Sequence, residues 1–179
     1  MKKTIVLIAL SAISLPAMAT DEVGFYGSLG GGAHRIKVDG FKDTAPTAML
    51  LGGYSFTNKF AVEAGYTKLF NASDTVDGTA FTIGGHAWDL STKWSYPMGQ
   101  RFSPYGRLGW SYLDLAGRAS ENGVAIRAND YDDAFSWAVG TGIKLTRRTT
   151  LNGEYSRVQV NDGDFDRMSF NLNYRFGAQ

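Results

Sequence analysis

The sequence predicts an all-β protein, an eight-stranded antiparallel up-and-down β-barrel. Apolar and polar residues alternate with a period of two through most of the chain after residue 20, which is typical of strands with one apolar and one polar face. Eight segments carry this pattern, and an even number of strands lets an antiparallel meander close on itself. The gaps between the segments leave no room for the helical crossovers that a parallel sheet needs.

The segments differ in how clearly they alternate. Residues 23–33 and 47–56 come first and are glycine-rich. The five segments that follow have small residues or single charges on their polar face: residues 60–67, 88–96, 107–112, 135–145 and 151–156. Residues 168–176 are the clearest, because five apolar or aromatic residues alternate strictly with four polar ones.

The predicted connections alternate in length. Tight turns are expected at residues 57–59, 97–101 and 146–149. Longer polar loops are expected at residues 34–46, 71–78, 117–130 and 158–166. One rim of the barrel is therefore expected to carry long loops and the other short turns, which is the arrangement of transmembrane β-barrels.

Alternation alone does not say whether the apolar face points into the barrel, as in a soluble ligand carrier, or out into a membrane. Large aromatic residues crowd the strand ends on the apolar face: Phe25, Phe56, Phe60, Trp88, Trp94, Tyr96, Tyr174 and Phe176. Such girdles mark the two membrane interfaces. The polar face holds mostly small residues and a few charges of both signs, which suits a narrow lumen. These features favour a transmembrane barrel.

The N-terminus has the pattern of a secretory signal peptide. Lys2 and Lys3 precede a mainly apolar run of twelve residues, 4–15, and residues 17–19 form a small-x-small cleavage site. Twelve residues rise only about 18 Å as a helix, which is too short to span a bilayer core of about 30 Å. We therefore expect residues 1–19 to be removed near Ala19 and residues 20–179 to form the barrel domain.

Composition excludes several classes of function. Removing residues 1–19 takes away two lysines and no acid, leaving 16 basic and 17 acidic residues, a balance that argues against nucleic-acid binding. The absence of cysteine excludes disulfides, zinc–thiolate sites and a thiol nucleophile. The 22 glycines among 179 residues exceed the usual share of about 7%. We attribute them to tightly curved strands, where glycine makes room for large neighbouring side chains.

Five short motifs occur in an order that identifies a family. They are residues 60–66 (FAVEAGY), 91–97 (STKWSYP), 104–109 (PYGRLG), 153–155 (GEY) and 173–177 (NYRFG). Over about 160 residues the chain resembles the transmembrane domain of outer membrane protein A and its small relatives of the OmpX/Ail type. The resemblance implies a monomeric barrel in the outer membrane of a Gram-negative bacterium, inserted by the barrel-assembly machinery.

The terminal strand carries the expected assembly signal, Tyr174 and Phe176, but departs from many relatives because residues 177–179 follow the last aromatic. The sequence also contains no segment resembling the periplasmic peptidoglycan-binding domain of the full-length family, so we do not expect a cell-wall tethering role.

Catalytic and metal sites are weakly indicated. Some barrels of this size modify lipid A with a His–Ser pair, and here His34 with Ser73 and Asp74 is the best such candidate, while His86 has no His-x-Ser context. Alternating acids at residues 162–166 suggest calcium, but Arg167 replaces the usual loop glycine and no bidentate Glu follows. We expect no catalytic residue, no cofactor and no metal.

Seven charged residues share the polar parity of the strands and are expected inside the lumen. They are Glu63, Asp89, Lys93, Arg107, Lys144, Glu154 and Arg175. Charges in so narrow a space must be paired, and three acids with four bases make pairing feasible. We interpret them as a structural network; the alternative is that they gate a small pore.

Four basic residues near the outer rim, Arg35, Lys37, Arg118 and Arg127, are candidates to meet lipopolysaccharide phosphates. The sequence therefore favours a non-enzymatic barrel with a structural or surface-interaction role, whose extracellular loops contact a host or cell-surface ligand. A narrow porin-like channel and a lipid-A-modifying enzyme are the alternatives.

Overall fold

The computed structural model describes residues 23–38, 41–76, 79–121, 124–160 and 163–176. Within these strands, the side chains of residues 36–43, 72–81, 83, 117–132 and 160–164 lie outside the description. No helix among the described residues is long and apolar enough to cross a bilayer.

Eight antiparallel strands form one closed barrel in sequence order, and β1 pairs with β8 to complete it. The strands are β1 (Gly24–Val38), β2 (Phe41–Ser55), β3 (Phe60–Val76), β4 (Thr79–Ser95), β5 (Phe102–Glu121), β6 (Val124–Lys144), β7 (Thr149–Val160) and β8 (Gly163–Arg175). The predicted eight-stranded up-and-down barrel is confirmed.

The apolar face of the strands points outward. Large hydrophobic side chains are exposed all around the wall, among them Phe25, Leu50, Leu90, Trp110, Val139 and Phe170. The residues between them point into the lumen, where Ser28, Glu63, Ser111 and Asn171 are buried. An exposed apolar wall of this extent requires a hydrocarbon environment.

Aromatic rings mark the two edges of the apolar wall. At the end that holds both chain termini, ring centroids lie 4.8 Å apart for Phe25 and Tyr54, 4.9 Å for Tyr54 and Phe56, and 5.5 Å for Phe60 and Trp94. A second group lies further along the strands, where Tyr66 and Trp88 are 4.9 Å apart and Trp137 and Tyr155 are 5.8 Å apart. These are the girdles of a transmembrane barrel.

The predicted long loops are wrong in extent. Most of residues 34–46, 71–78, 117–130 and 158–166 lie in strands, so β5 has 20 residues and β6 has 21. Spanning a membrane takes about 9–11 residues. The alternation fades there because a hairpin beyond the bilayer meets water on its outer face, although its backbone ladder continues. The turns at the terminal end are short, so that end is the periplasmic one.

Two glycines make room for inward-pointing tyrosines. A Cβ on Gly53 would lie 2.5 Å from Cζ of Tyr26, and a Cβ on Gly140 would lie 2.6 Å from Cζ of Tyr105. Both tyrosine rings therefore pass close to backbone that carries no side chain, and their hydroxyls reach buried carboxylates in the lumen.

Candidate functional site: the barrel lumen

The strand parity brings two acids and two bases together inside the barrel. Glu63 on β3, Lys93 on β4, Arg107 on β5 and Glu154 on β7 all point inward, and both glutamates are at most 5% exposed. We call these four residues the lumenal charge network. Its formal charge is zero, which is what makes burial of four ions tolerable.

Arg107 is the centre of the lumenal charge network. Its Nε lies 2.8 Å from Glu63 Oε2, and its Nη2 lies 2.9 Å from Glu154 Oε2. Lys93 Nζ lies 3.6 Å from Glu63 Oε1. One guanidinium thus joins two carboxylates from different strands, a task that suits the fork of donors on arginine.

Two tyrosines complete the network, and sequence reasoning missed both. Tyr26 donates its hydroxyl hydrogen to Glu63 Oε1, and Tyr105 donates to Glu154 Oε2 at 3.0 Å. Lys93 Nζ also lies 4.1 Å from the centroid of the Tyr105 ring, a cation–π distance. The missed signal was parity: Tyr105 is two residues from Arg107, yet aromatic residues were expected on the outer face.

Together with Tyr26, the lumenal charge network crosses the whole lumen. Tyr26, Glu63, Arg107 and Glu154 come from β1, β3, β5 and β7, and no two of these strands are neighbours in the sheet. Contacts among them pass through the interior rather than along the wall. The side chains therefore form a polar layer across the barrel near its periplasmic end.

A second polar layer lies next to it, around Asp89. Ser111 Oγ donates to Asp89 Oδ1 at 2.5 Å, and Thr67 Oγ1 donates to Asp89 Oδ2 at 3.4 Å. Arg167 reaches across the lumen and donates to Thr67 Oγ1 at 3.0 Å and to Ser156 Oγ at 3.1 Å. Arg167 was not among the predicted lumenal charges, although the outward assignment of Met168 implied that its neighbour points inward.

The remaining two predicted lumenal charges lie elsewhere. Lys144 ends β6 and Arg175 ends β8, and both line the periplasmic mouth of the barrel. Of the seven predicted residues, the structure therefore brings four into one network, places Asp89 in the next layer and puts two at the mouth.

An apolar layer lies in the lumen beyond the polar ones. Seven strands each contribute one buried hydrophobic residue to it: Ala45, Leu69, Ala87, Leu113, Ala134, Val158 and Phe165. The remaining strand, β1, contributes His34, which is 1% exposed and stacks on Phe165 with centroids 5.1 Å apart. We call these eight residues the apolar ring. The expectation that His34 lies in a solvated outer loop is wrong, because β1 continues to Val38 and His34 lies on the face of that strand that points into the lumen.

The structure also shows the surroundings of His86 and of Asp166, which belong to the weaker catalytic and metal candidates. His86 Nε2 lies 3.4 Å from Asp114 Oδ2 on the outer face. Asp166, the last acid of the suggested calcium loop, pairs with Arg157 at 2.7 Å, while Asp162 and the side chain of Asp164 lie outside the described residues. Among the described residues no group of three or more potential metal ligands occurs.

Of the basic residues predicted at the outer rim, only Arg35 has a described side chain. Its Nε donates to Thr44 Oγ1 at 3.4 Å on the neighbouring strand. The side chains of Lys37, Arg118 and Arg127 lie outside the described residues, as do those of Ser73 and Asp74.

Solved structures with the same fold are small outer-membrane barrels. Neisserial surface protein A has a TM-score of 0.66 at 14% identity, with 86% of this chain and 97% of that chain covered. Ail, the attachment invasion locus protein of Yersinia pestis solved with the heparin analogue sucrose octasulfate, has a TM-score of 0.62 at 17% identity, covering 87% and 99%. OprG of Pseudomonas aeruginosa has a TM-score of 0.61 at 17% identity, covering 87% and 97%. At these identities the likeness shows the fold alone.

The closed barrel, its apolar outer wall and its two aromatic girdles define a transmembrane barrel of the outer-membrane class. The family model of the outer membrane protein beta-barrel domain matches residues 5–176. The chain therefore belongs to that family, and its location is the bacterial outer membrane. No protein with a curated description matches the sequence.

Proposed function

We propose that this protein is a non-enzymatic outer-membrane barrel that mediates surface interactions. The part that does so is the extracellular wall, by which we mean the strand ends that continue beyond the second aromatic girdle. The observation that carries the proposal is the length of the strands. β5 and β6 pair without interruption from Phe102↔Ile143 to Glu121↔Val124, far beyond the second aromatic girdle. A chain that needed only a membrane anchor would end its strands near that girdle.

The side chains that meet across the lumen support a role outside the barrel rather than through it. A permeating ion would have to pass the lumenal charge network, the layer around Asp89 and the apolar ring in turn. The apolar ring is the strongest barrier, because narrow hydrophobic constrictions exclude water and with it ions.

The surroundings of both histidines support a non-enzymatic role. His34 is buried in the apolar ring, away from any lipid substrate. His86 faces outward, and its partners across the two neighbouring strands are Lys68 and Asp114, neither of which is a nucleophilic hydroxyl. A His–Asp pair without a Ser or Cys lacks the nucleophile of acyl transfer.

The names of two structurally similar proteins also support a surface-interaction role. One is a surface protein, and the other is an attachment and invasion protein seen with a heparin analogue. The ligand class need not be shared, because residues 113–133 of the β5–β6 hairpin carry five acidic and two basic residues. An acidic hairpin favours a basic protein surface over a sulfated polymer. Lipopolysaccharide is the proposed lipid neighbour of the basic rim residues.

Biogenesis follows the same proposal. Residues 1–19 direct export and are removed, and the barrel-assembly machinery recognises the terminal strand through Tyr174 and Phe176. Both aromatic side chains are exposed on the outer wall with ring centroids 5.4 Å apart, which leaves them accessible to another protein before membrane insertion.

The test shortens the extracellular wall without touching the lumen. Ala116 and Asn129 face each other across β5 and β6, so an Asn-Gly turn can replace residues 117–128 and join them directly. A deletion strain carrying the shortened variant should lose host-cell binding and serum resistance while keeping a folded, heat-modifiable barrel. Equal binding and resistance with all four hairpins shortened would contradict the proposal. Lipid A mass spectra should be identical in every strain, and a change that depends on His86 would favour the enzyme.

A further inference from the structure

The outer wall of the barrel has a groove on β2, β3 and β4. The residues that line it, which we call the outer groove, are Leu50, Gly52, Ala64, Gly65, Tyr66 and Trp88. Gly52 and Ala64 face each other across β2 and β3, and both are exposed. A Cβ on Gly52 would meet no heavy atom of the described residues within 4 Å. The wall is therefore recessed at this pair, on the side that faces hydrocarbon.

Long side chains border the recess at its extracellular end. Leu50, Tyr66 and Trp88 form the next outward row across the same three strands. Leu50 and Trp88 are each 59% exposed, and the rings of Tyr66 and Trp88 lie 4.9 Å apart. Association within a bilayer depends on close van der Waals packing, which small residues flanked by large ones allow. The outer groove therefore has the shape and the apolar lining that fit a lipid acyl chain.

A basic residue lies directly beyond the outer groove. Lys68 is the next outward residue on β3 after Tyr66, and it faces His86 on β4. Lys68 is exposed and makes no ion pair with the described part of the chain. The aliphatic stem of a lysine at a membrane interface lies along the apolar surface, while its ammonium group reaches the headgroups. Lys68 therefore places a positive charge at the extracellular headgroup level, next to the groove.

The neighbouring strands have the opposite charge. Asp114 on β5 faces His86, and its Oδ2 lies 3.4 Å from His86 Nε2. Asp133 on β6 is exposed on the outer face and accepts a hydrogen bond from Trp110 Nε1 at 3.0 Å. Carboxylates at this height repel a phosphate, whereas the ammonium group of Lys68 attracts one. Charge complementarity therefore directs the anionic end of a lipid toward β3 and away from β5 and β6.

We infer that the outer groove and Lys68 bind one molecule of lipopolysaccharide, with an acyl chain of its lipid A in the groove and a lipid A phosphate at Lys68. Lys68 lies on the extracellular side of the second aromatic girdle, where lipopolysaccharide is the phosphate-bearing lipid. The inference rests on the proposed contact with lipopolysaccharide and deepens it, but it uses none of the basic rim residues. Replacing residues 117–128 leaves the whole site in place, so failure of the hairpin test and failure of this inference are distinguishable.

The chain provides a matched control for each half of the site. Gly52→Leu fills the recess, and Gly106→Leu is its control. Gly106 also faces outward, its Cβ would have its nearest contact at 3.9 Å, and it does not line the outer groove. Lys68→Gln removes the charge beside the groove. Arg101→Gln removes the same charge from an exposed turn at the periplasmic end.

The experiment is native mass spectrometry of the folded protein released from micelles that contain lipid A and phosphatidylglycerol in equal amounts. The wild type should retain one lipid A. Lys68→Gln should weaken retention about fivefold, the effect of one basic residue at a charged membrane surface. Gly52→Leu should also weaken it, and both controls should behave like the wild type. Preference for phosphatidylglycerol, release without lipid, a mass of two chains, or equal loss in Gly106→Leu would overturn the inference.

Lipid A without its phosphates separates the two contacts. The wild type should retain it less than intact lipid A, and Lys68→Gln should cause no further loss, because the group that Lys68 meets is already gone. Gly52→Leu should weaken retention of both lipids. An equal effect of Lys68→Gln on the two lipids would show that Lys68 does not meet the phosphate and would overturn the assignment. Heat-modifiability of every variant checks that the barrel is folded.

Discussion

Arg107 and Glu63 form an ion pair between strands that are not neighbours in the sheet. Arg107 Nε lies 2.8 Å from Glu63 Oε2 although β4 separates β5 from β3 in the wall. The pair therefore braces the barrel across its interior. The same guanidinium also binds Glu154 on β7, so one side chain ties together three strands.

Arg107→Ala should strongly destabilise the barrel. It would leave two buried carboxylates without their shared counter-ion, at a cost of about 3–5 kcal/mol. The measurement is the unfolding temperature of the heat-modifiable form in detergent. Glu154→Ala should act in the same direction, and Arg101→Ala in the exposed turn should leave the temperature unchanged. Wild-type stability in Arg107→Ala would contradict a structural network.

Tyr26→Phe and Tyr105→Phe should each lower stability by a smaller amount. Each removes one hydrogen bond to a buried carboxylate, which costs about 1–3 kcal/mol. Denaturant titration followed by tryptophan fluorescence measures the change. Tyr54→Phe is the matched control, because its ring packs between Phe25 and Phe56 in the outer girdle. Equal effects at all three tyrosines would argue against a special role for the lumenal pair.

Leu113→Ala should destabilise the barrel more than Leu108→Ala does. Leu113 is 3% exposed in the apolar ring, and its truncation leaves a cavity that costs about 2–5 kcal/mol. Leu108 is 47% exposed on the outer wall, where lipid chains fill the space left by truncation. The same unfolding assay compares the two. If Leu108→Ala costs as much or more, the lumen is not packed at this level.

Phe176→Ala should reduce the amount of inserted barrel before it affects surface interactions. Phe176 directly follows Arg175, the last residue of β8, and packs against Tyr174 at the periplasmic girdle. The readout is the folded fraction in outer-membrane preparations over time after induction. Met168→Ala removes an equally outward apolar side chain from the same strand and should insert normally. Normal insertion of Phe176→Ala would show that the assembly machinery does not need this ring.

The period of two predicted the fold because every strand has one face in lipid. That rule placed the strand cores and the outward aromatic residues correctly. It missed the length of the hairpins. Residues such as 117–130 lie beyond the membrane, where neither face of a strand meets lipid and apolar residues therefore no longer mark one face.

The site was harder to predict because parity says which way a side chain points and not what it meets. Glu63, Arg107 and Glu154 could be assigned to the interior, but their contacts depend on the stagger of non-adjacent strands. Tyr26 and Tyr105 were missed because large aromatic residues were expected on the outer face. The apolar ring was missed because each strand contributes a single residue to it, which no one segment reveals.

The central claim is that the lumen is a packed structural core and not a conducting path. Planar-bilayer recording of the purified wild type, beside Arg107→Ala and Glu154→Ala, tests it most directly. The account predicts no steady current from the wild type, and lower unfolding temperatures for both variants. A stable, ion-selective wild-type current that these substitutions retune, with unchanged folding stability, would mean that the charges line a pore.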